Sequence, residues 1–167
     1  MSLTKRISRP VPRKRPSGIS INPLSQVADR LGGSQVWKKT PTSMLEVHEA
    51  IERGFPSKSV KIVISNTKGI SSTKLLKVFH ISRRTVQRYG AAPNKPLNKE
   101  QSGRLWKFAE ILNKASAVLG SEEAAERWLS SPAMALEQRL PMDLLTTQAG
   151  AEIVEQLLGR LEHGVYT

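Results

Sequence analysis

Residues 72–89 read Ser72-Thr-Lys-Leu-Leu-Lys-Val-Phe-His-Ile-Ser-Arg-Arg-Thr-Val-Gln-Arg-Tyr89, and the fold turns on this stretch. Leu75, Leu76 and Phe79 recur at helical spacing and give a first short helix, Ser72–Phe79, one apolar face. Ile81 is placed to plug a turn and Ser82 to cap a second helix running to Tyr89, while Val86 points back into the junction. Two helices joined by a turn of three or four residues cross steeply in this way, which is the helix-turn-helix arrangement. The second helix then exposes Arg83, Arg84, Thr85, Gln87 and Arg88, with Ser82 at its start. From a helix in the major groove, Arg donates two hydrogen bonds to guanine and Gln pairs with adenine, so these six are the candidate DNA-binding residues. The turn position that usually holds Gly is His80, which tolerates left-handed backbone less well. A helical hairpin with a solvated basic face is the competing reading.

Outward from the motif, the signals stay helical. Val60-Lys-Ile-Val-Ile-Ser65 has the β-branched content of a strand, yet Val60, Val63 and Ile64 also share a helical face. With no partner strand elsewhere in the chain, a helix is expected. Ser43 and Glu46 have capping-box spacing before a helix Met44–Arg53 that Gly54 stops. On the other side, Gly90–Pro96 reads as a linker, and Asn98 with Gln101 opens a longer helix that Gly120 closes. Leu105, Phe108, Leu112, Ala115 and Leu119 mark its buried stripe. Ser121 caps a helix through Leu129, in which Trp128 and Leu129 read as core, and Pro132 ends it. Pro141 starts a short helical turn, and Thr147 caps a last helix with Val154, Leu157, Leu158 and Leu161 on one face, ended by Gly164.

The expected fold is therefore all-α in three parts. Residues 1–40 hold Pro10, Pro12, Pro16, Pro23 and the cluster Arg13-Lys14-Arg15, too little apolar surface to offset ordering entropy. They are expected to be a basic, largely flexible arm in which only residues 21–31 can form a short helix. Residues 41–97 form the helix-turn-helix domain and 98–167 a C-terminal helical domain, since 121–167 alone is short and should pack on the 98–119 helix.

Charge divides the chain in a similar way. Of 167 residues, 26 are Lys or Arg and 14 Asp or Glu, a net +12. Residues 121–167 reverse the sign, with three Arg against eight acids. A basic front and an acidic rear suit two different partners, the front one a polyanion such as DNA. The absence of Cys excludes a disulfide framework, thiolate zinc sites and thiol catalysis. No apolar run approaches a membrane span, and the first 18 residues lack the apolar core of a secretory signal, so a cytoplasmic protein with no membrane partner is expected. His48, His80 and His163 have no metal-ligand spacing, there is no Gly-rich phosphate loop, and Glu122-Glu123 fit the first turn of a helix. Neither an enzyme nor a cofactor is expected.

Several C-terminal motifs occur in a recognisable order: Gly120-Ser-Glu-Glu-Ala-Ala-Glu-Arg-Trp-Leu129, Ser131-Pro-Ala-Met-Ala-Leu136, Leu140-Pro-Met-Asp-Leu-Leu145, Thr147 with Gly150, and Leu158-Gly-Arg-Leu-Glu-His-Gly-Val-Tyr166. Together they resemble the toxin-binding domain of Xre/MbcA/ParS-type antitoxins, and the helix-turn-helix ahead of them also suits that family. The resemblance covers about residues 43–167 and leaves the basic arm unexplained. It implies the antitoxin of a bacterial type II pair, whose partner is a RES-domain toxin that degrades NAD+ and whose C-terminal region blocks the toxin's active site. It also implies a homodimer that represses its own operon by binding operator DNA. Carried onto this sequence, the toxin-binding residues would be Glu155, Arg160, Glu162, His163, Gly164, Val165 and Tyr166. Tyr166 stands out, because an aromatic just past a Gly cap can fill a pocket and hydrogen-bond there; its bland alternative is a frayed terminus. Two other functions compete: a stand-alone helix-turn-helix transcription regulator whose C-terminal module only dimerises, and a protein-interaction module with an incidental basic face.

Overall fold

The computed structural model describes residues 22–164, and it is organised around one long helix. In chain order the elements are α1 (Pro23–Arg30), α2 (Met44–Arg53), α3 (Lys58–Asn66), α4 (Ser72–Phe79), α5 (Arg83–Ala91), α6 (Lys99–Leu119), α7 (Glu122–Leu129), α8 (Pro141–Leu144) and α9 (Gln148–Glu162). No strand forms among the described residues. Two isolated antiparallel bridges, Pro56 with Pro96 and Ala133 with Arg139, close loops.

Helix α6 begins in a full capping box. The Asn98 side chain accepts the Gln101 N–H at 2.8 Å, and the Gln101 side chain accepts the Asn98 N–H at 3.3 Å. Gly120 ends it in left-handed backbone. Its expected apolar stripe is present but wider than one face: Trp106, Ala109 and Ile111 are buried as well as Leu105, Phe108, Leu112 and Ala115. The cause is that α1, α2 and α4 pack on α6 as well as α7 and α9. Phe79 of α4 meets Phe108 edge to face at 5.5 Å, and Trp37, Phe55 and Trp106 form a second aromatic group with centroids 5.2 to 6.4 Å apart. One continuous core runs from Val27 to Leu158.

Of the arm expected over residues 1–40, residues 1–21 lie outside the described residues, and from Asn22 on the short helix expected at 21–31 forms as α1 and packs on the core. Asn22 caps α1, with Pro23 at its first position, and Val27, Ala28 and Leu31 are buried. Arg30 pins the helix, donating to Glu122 at 2.7 Å, and to Asn113 and Ser116 at 3.3 Å each. Segment 90–96 is no free linker. Helix α5 continues through Ala91, and the residues after it are tied to the start of α3. The Ser57 N–H donates to the Lys95 carbonyl and the Lys58 N–H to that of Pro93, both at 2.9 Å.

Candidate nucleic-acid interface and C-terminal surface

The turn after α4 has three residues, His80, Ile81 and Ser82. His80 sits at φ 54, ψ 41, the left-handed conformation for which Gly is the usual choice. Its N–H and that of Ile81 donate to the carbonyls of Lys77 and Leu76 at 3.2 and 3.0 Å, closing α4 as a left-handed cap should. The imidazole Nδ1 lies 3.1 Å from Glu100 Oε1, which also accepts from Arg104 Nε at 3.0 Å. Arg104, chiefly, and then His80 hold the Glu100 carboxyl below its ordinary range. Arg104 in turn donates to the Thr146 carbonyl at 2.8 Å, so the turn is wired across α6 to the C-terminal module.

Ser82 caps α5, its hydroxyl accepting the Thr85 N–H at 3.1 Å. Ile81 and Tyr89 are buried and Val86 half-buried against the core, which fixes the inward side of α5. Burial pushes the Tyr89 phenol up. Of the six candidate DNA-binding residues, Arg84, Gln87 and Arg88 are exposed together around a shallow concavity. Ser82 and Thr85 are occupied with each other at 2.9 Å, and Arg83 reaches back to Thr73 of α4. No acid occurs between Glu52 and Glu100, and between Arg53 and Lys99 fall nine further Lys or Arg side chains. None of those nine forms an ion pair among the described residues.

At the other end, Arg160, Glu162, His163 and Gly164 are exposed on the last turn of α9 and just beyond it. Glu155 is not brought together with them. It is half-buried against α6, where its Oε1 lies 3.2 Å from Lys107 Nζ. Burial opposes the charge on Lys107, but Glu110 at 2.9 Å and Glu155 outweigh it and hold the ammonium above its ordinary pKa. Val165 and Tyr166 lie outside the described residues.

Three features had no clear sequence signal. Glu126, one of several helix acids, is buried and accepts the Gly69 N–H from the loop ahead of α4. Burial raises its pKa despite that bond. Met134 projects from the loop between α7 and α8 at 85% exposure, where Glu137 and Gln138 both adopt positive φ. Ile153 lies 43% exposed on α9. No group of side chains suited to a metal ion occurs among the described residues, and none of their helices is long and apolar enough to cross a membrane.

An all-α chain with a three-residue turn, an acid-free helical unit around it and an appended acidic module belongs to the class of helix-turn-helix DNA-binding proteins. Residues 46–110 match the antitoxin Xre-like helix-turn-helix domain, and residues 114–164 match the antitoxin Xre/MbcA/ParS C-terminal toxin-binding domain. The chain belongs to the Xre-type antitoxins. It is similar to an Antitoxin Xre of Yersinia enterocolitica, 28% identical over 70% of this chain and 88% of that protein. It is also similar to one of Photorhabdus laumondii, 28% identical over 67% and 86%, and one of Pseudomonas putida, 39% identical over 42% and 45%. The two domains imply a toxin and DNA as the partners.

Proposed function

We propose that this chain is the antitoxin of a RES–Xre pair, acting in the cytoplasm. In this reading it inhibits an NAD+-degrading RES-domain toxin by covering the active site with the end of α9 and the residues that follow. It represses its own operon as a homodimer through α5. The observation that carries the reading is the order of parts: an Xre-like helix-turn-helix followed directly by a toxin-binding domain. Support for the two surfaces comes from exposure, since Arg84, Gln87 and Arg88 face solvent together and so do Arg160, Glu162 and His163. The acidic rear also suits a partner whose own site is built for an anionic dinucleotide.

The test is co-expression with a RES-domain toxin encoded beside this gene. The antitoxin should restore growth and NAD+ levels and co-purify with the toxin; persistent lethality without co-purification refutes the reading. Deleting residues 162–167 should impair neutralisation while operator binding persists, and full neutralisation by that deletion would move the inhibitory contact to another surface. Arg84→Ala with Gln87→Ala should weaken operator binding in a gel shift with no loss of helicity. Unchanged binding by that double variant would place recognition elsewhere.

A further inference from the structure

A strip of lysines carried by α3 lies beside the recognition helix, and no group among the described residues pairs with their charge. Helix α3 packs on α5. Gly90, in the last turn of α5, has no side chain, and the Lys61 ammonium occupies the space beside it, 3.0 Å from where a Cβ would sit. Lys58 lies one helical turn before Lys61, and the loop holding Lys95 is bonded to the start of the same helix. No hydrogen bond or ion pair engages any of these three ammonium groups among the described residues.

Helical periodicity fixes which side of α5 this is. Val86 and Tyr89 turn inward, Arg84, Gln87 and Arg88 outward, and Gly90 falls on the flank shared with Arg83. A helix with its side chains is about 10–12 Å across and the major groove about 12 Å wide, so a helix seated there turns its flanks to the two phosphate walls. We infer that Lys61, with Lys58 and Lys95, grips the phosphate backbone on the Arg83 flank of α5, so that α3 is a second DNA-binding element that fixes register without reading sequence. The inference rests on the DNA-binding reading of α5. Its rival is that Lys61 only screens the negative end of the α5 dipole.

The two differ in salt dependence. Each cation that displaces a counterion from B-DNA steepens the plot of log affinity against log salt by about 0.9. The assay is fluorescence anisotropy of the full chain over a salt series, with a labelled duplex from upstream of its own reading frame and an unrelated duplex of equal length. Lys61→Gln should flatten the slope by about 0.9, and Lys58→Gln with Lys61→Gln by about twice that, with similar loss on both duplexes. Lys61→Arg should restore the slope, and Arg127→Gln on α7 should leave it unchanged. Thermal melts run alongside would detect the dipole role, which lowers stability and leaves the slope alone. Wild-type slopes in folded Lys58 and Lys61 variants overturn the inference and spare the α5 reading. A wild-type protein that binds neither duplex overturns both.

Discussion

Gly150 provides a sharp test of how α9 is held. It is buried at the third residue of the helix, and its N–H donates to the Thr147 hydroxyl at 3.0 Å. A Cβ built there would lie 2.0 Å from the Leu144 carbonyl oxygen and 2.8 Å from its carbon. Those are backbone atoms that close α8, so no side chain can swing aside. Reaching a bearable 3.0 Å requires α9 to lift by roughly 1 Å. Overpacking of this kind costs about 1–3 kcal/mol, and a rigid backbone neighbour puts Gly150→Ala at the upper end. The helix propensity gained from Ala returns up to about 1 kcal/mol, leaving a net loss of about 2 kcal/mol. At about 2–4 °C per kcal/mol for a chain of this size, the melting midpoint should fall by roughly 4–8 °C. Gly103 is the internal control: it sits in α6 with nothing within 4 Å of its Cβ position, so Gly103→Ala should gain up to about 1 kcal/mol. Calorimetry on both variants gives opposite signs from one substitution if the geometry is right. A Gly150→Ala melt at or above wild type refutes the close approach of α9 to α8.

Glu46 accepts the Thr42 N–H first of all, then the Thr42 hydroxyl and the Lys39 ammonium, and its pKa falls to about 2. A lowered acid pKa contributes stability above the unfolded value of 4.5 that is lost as pH falls toward 2. Glu46→Gln should therefore flatten stability against pH in that window, measured by urea titrations; an unchanged profile rejects the assignment. For Glu126 the sign is opposite. Burial raises its pKa, so the wild type loses stability as pH rises from 4.5, and Glu126→Gln, which keeps an acceptor for Gly69, should be at least as stable at neutral pH. Marked destabilisation at neutral pH would mean that the charge itself is required. His80→Gly should melt close to wild type. It removes about 1 kcal/mol of left-handed strain and an exposed pair with Glu100 that is worth no more than about 1 kcal/mol. A drop of several degrees would assign the imidazole a larger role.

The elements most legible in the sequence were those with local causes. Ser43, Ser82, Asn98, Ser121 and Thr147 all cap helices, because a cap needs only the residue and the next turn. The Val60–Ser65 stretch resolved as helix α3, and the turn at His80 formed with a residue that favours it less than Gly. What stayed hidden has partners far along the chain. The helix at 21–31 could be read locally, but not its place: eight residues gain little from propensity, and α1 is held because Val27, Ala28 and Leu31 enter the core and Arg30 finds Glu122, 92 residues away. Glu155 reads as a surface acid until Lys107 is placed opposite it, 48 residues away. The same holds for the proposed DNA-binding surface: Arg84, Gln87 and Arg88 follow from helical periodicity, whereas Lys61 comes beside Gly90 of α5 only through the packing of α3 on α5.

These long-range ties also decide how the two functions are joined. The helix-turn-helix match ends at residue 110 and the toxin-binding match begins at 114, so the junction falls inside α6. A boundary at 97/98 would strip α4 of Phe108, its aromatic partner, and of Glu100, which pairs with His80 in the turn. A cut within α6 would break the helix that carries both cores. Polar contacts cross the same seam: Arg104 joins Glu100, the partner of His80 in the turn, to Thr146, Glu126 holds the loop ahead of α4, and Glu122 holds α1. The turn ahead of α5 and the loop ahead of α4 are therefore held by residues of α6 and α7, His80 by Glu100, Phe79 by Phe108 and Gly69 by Glu126, so the two matched domains share one core.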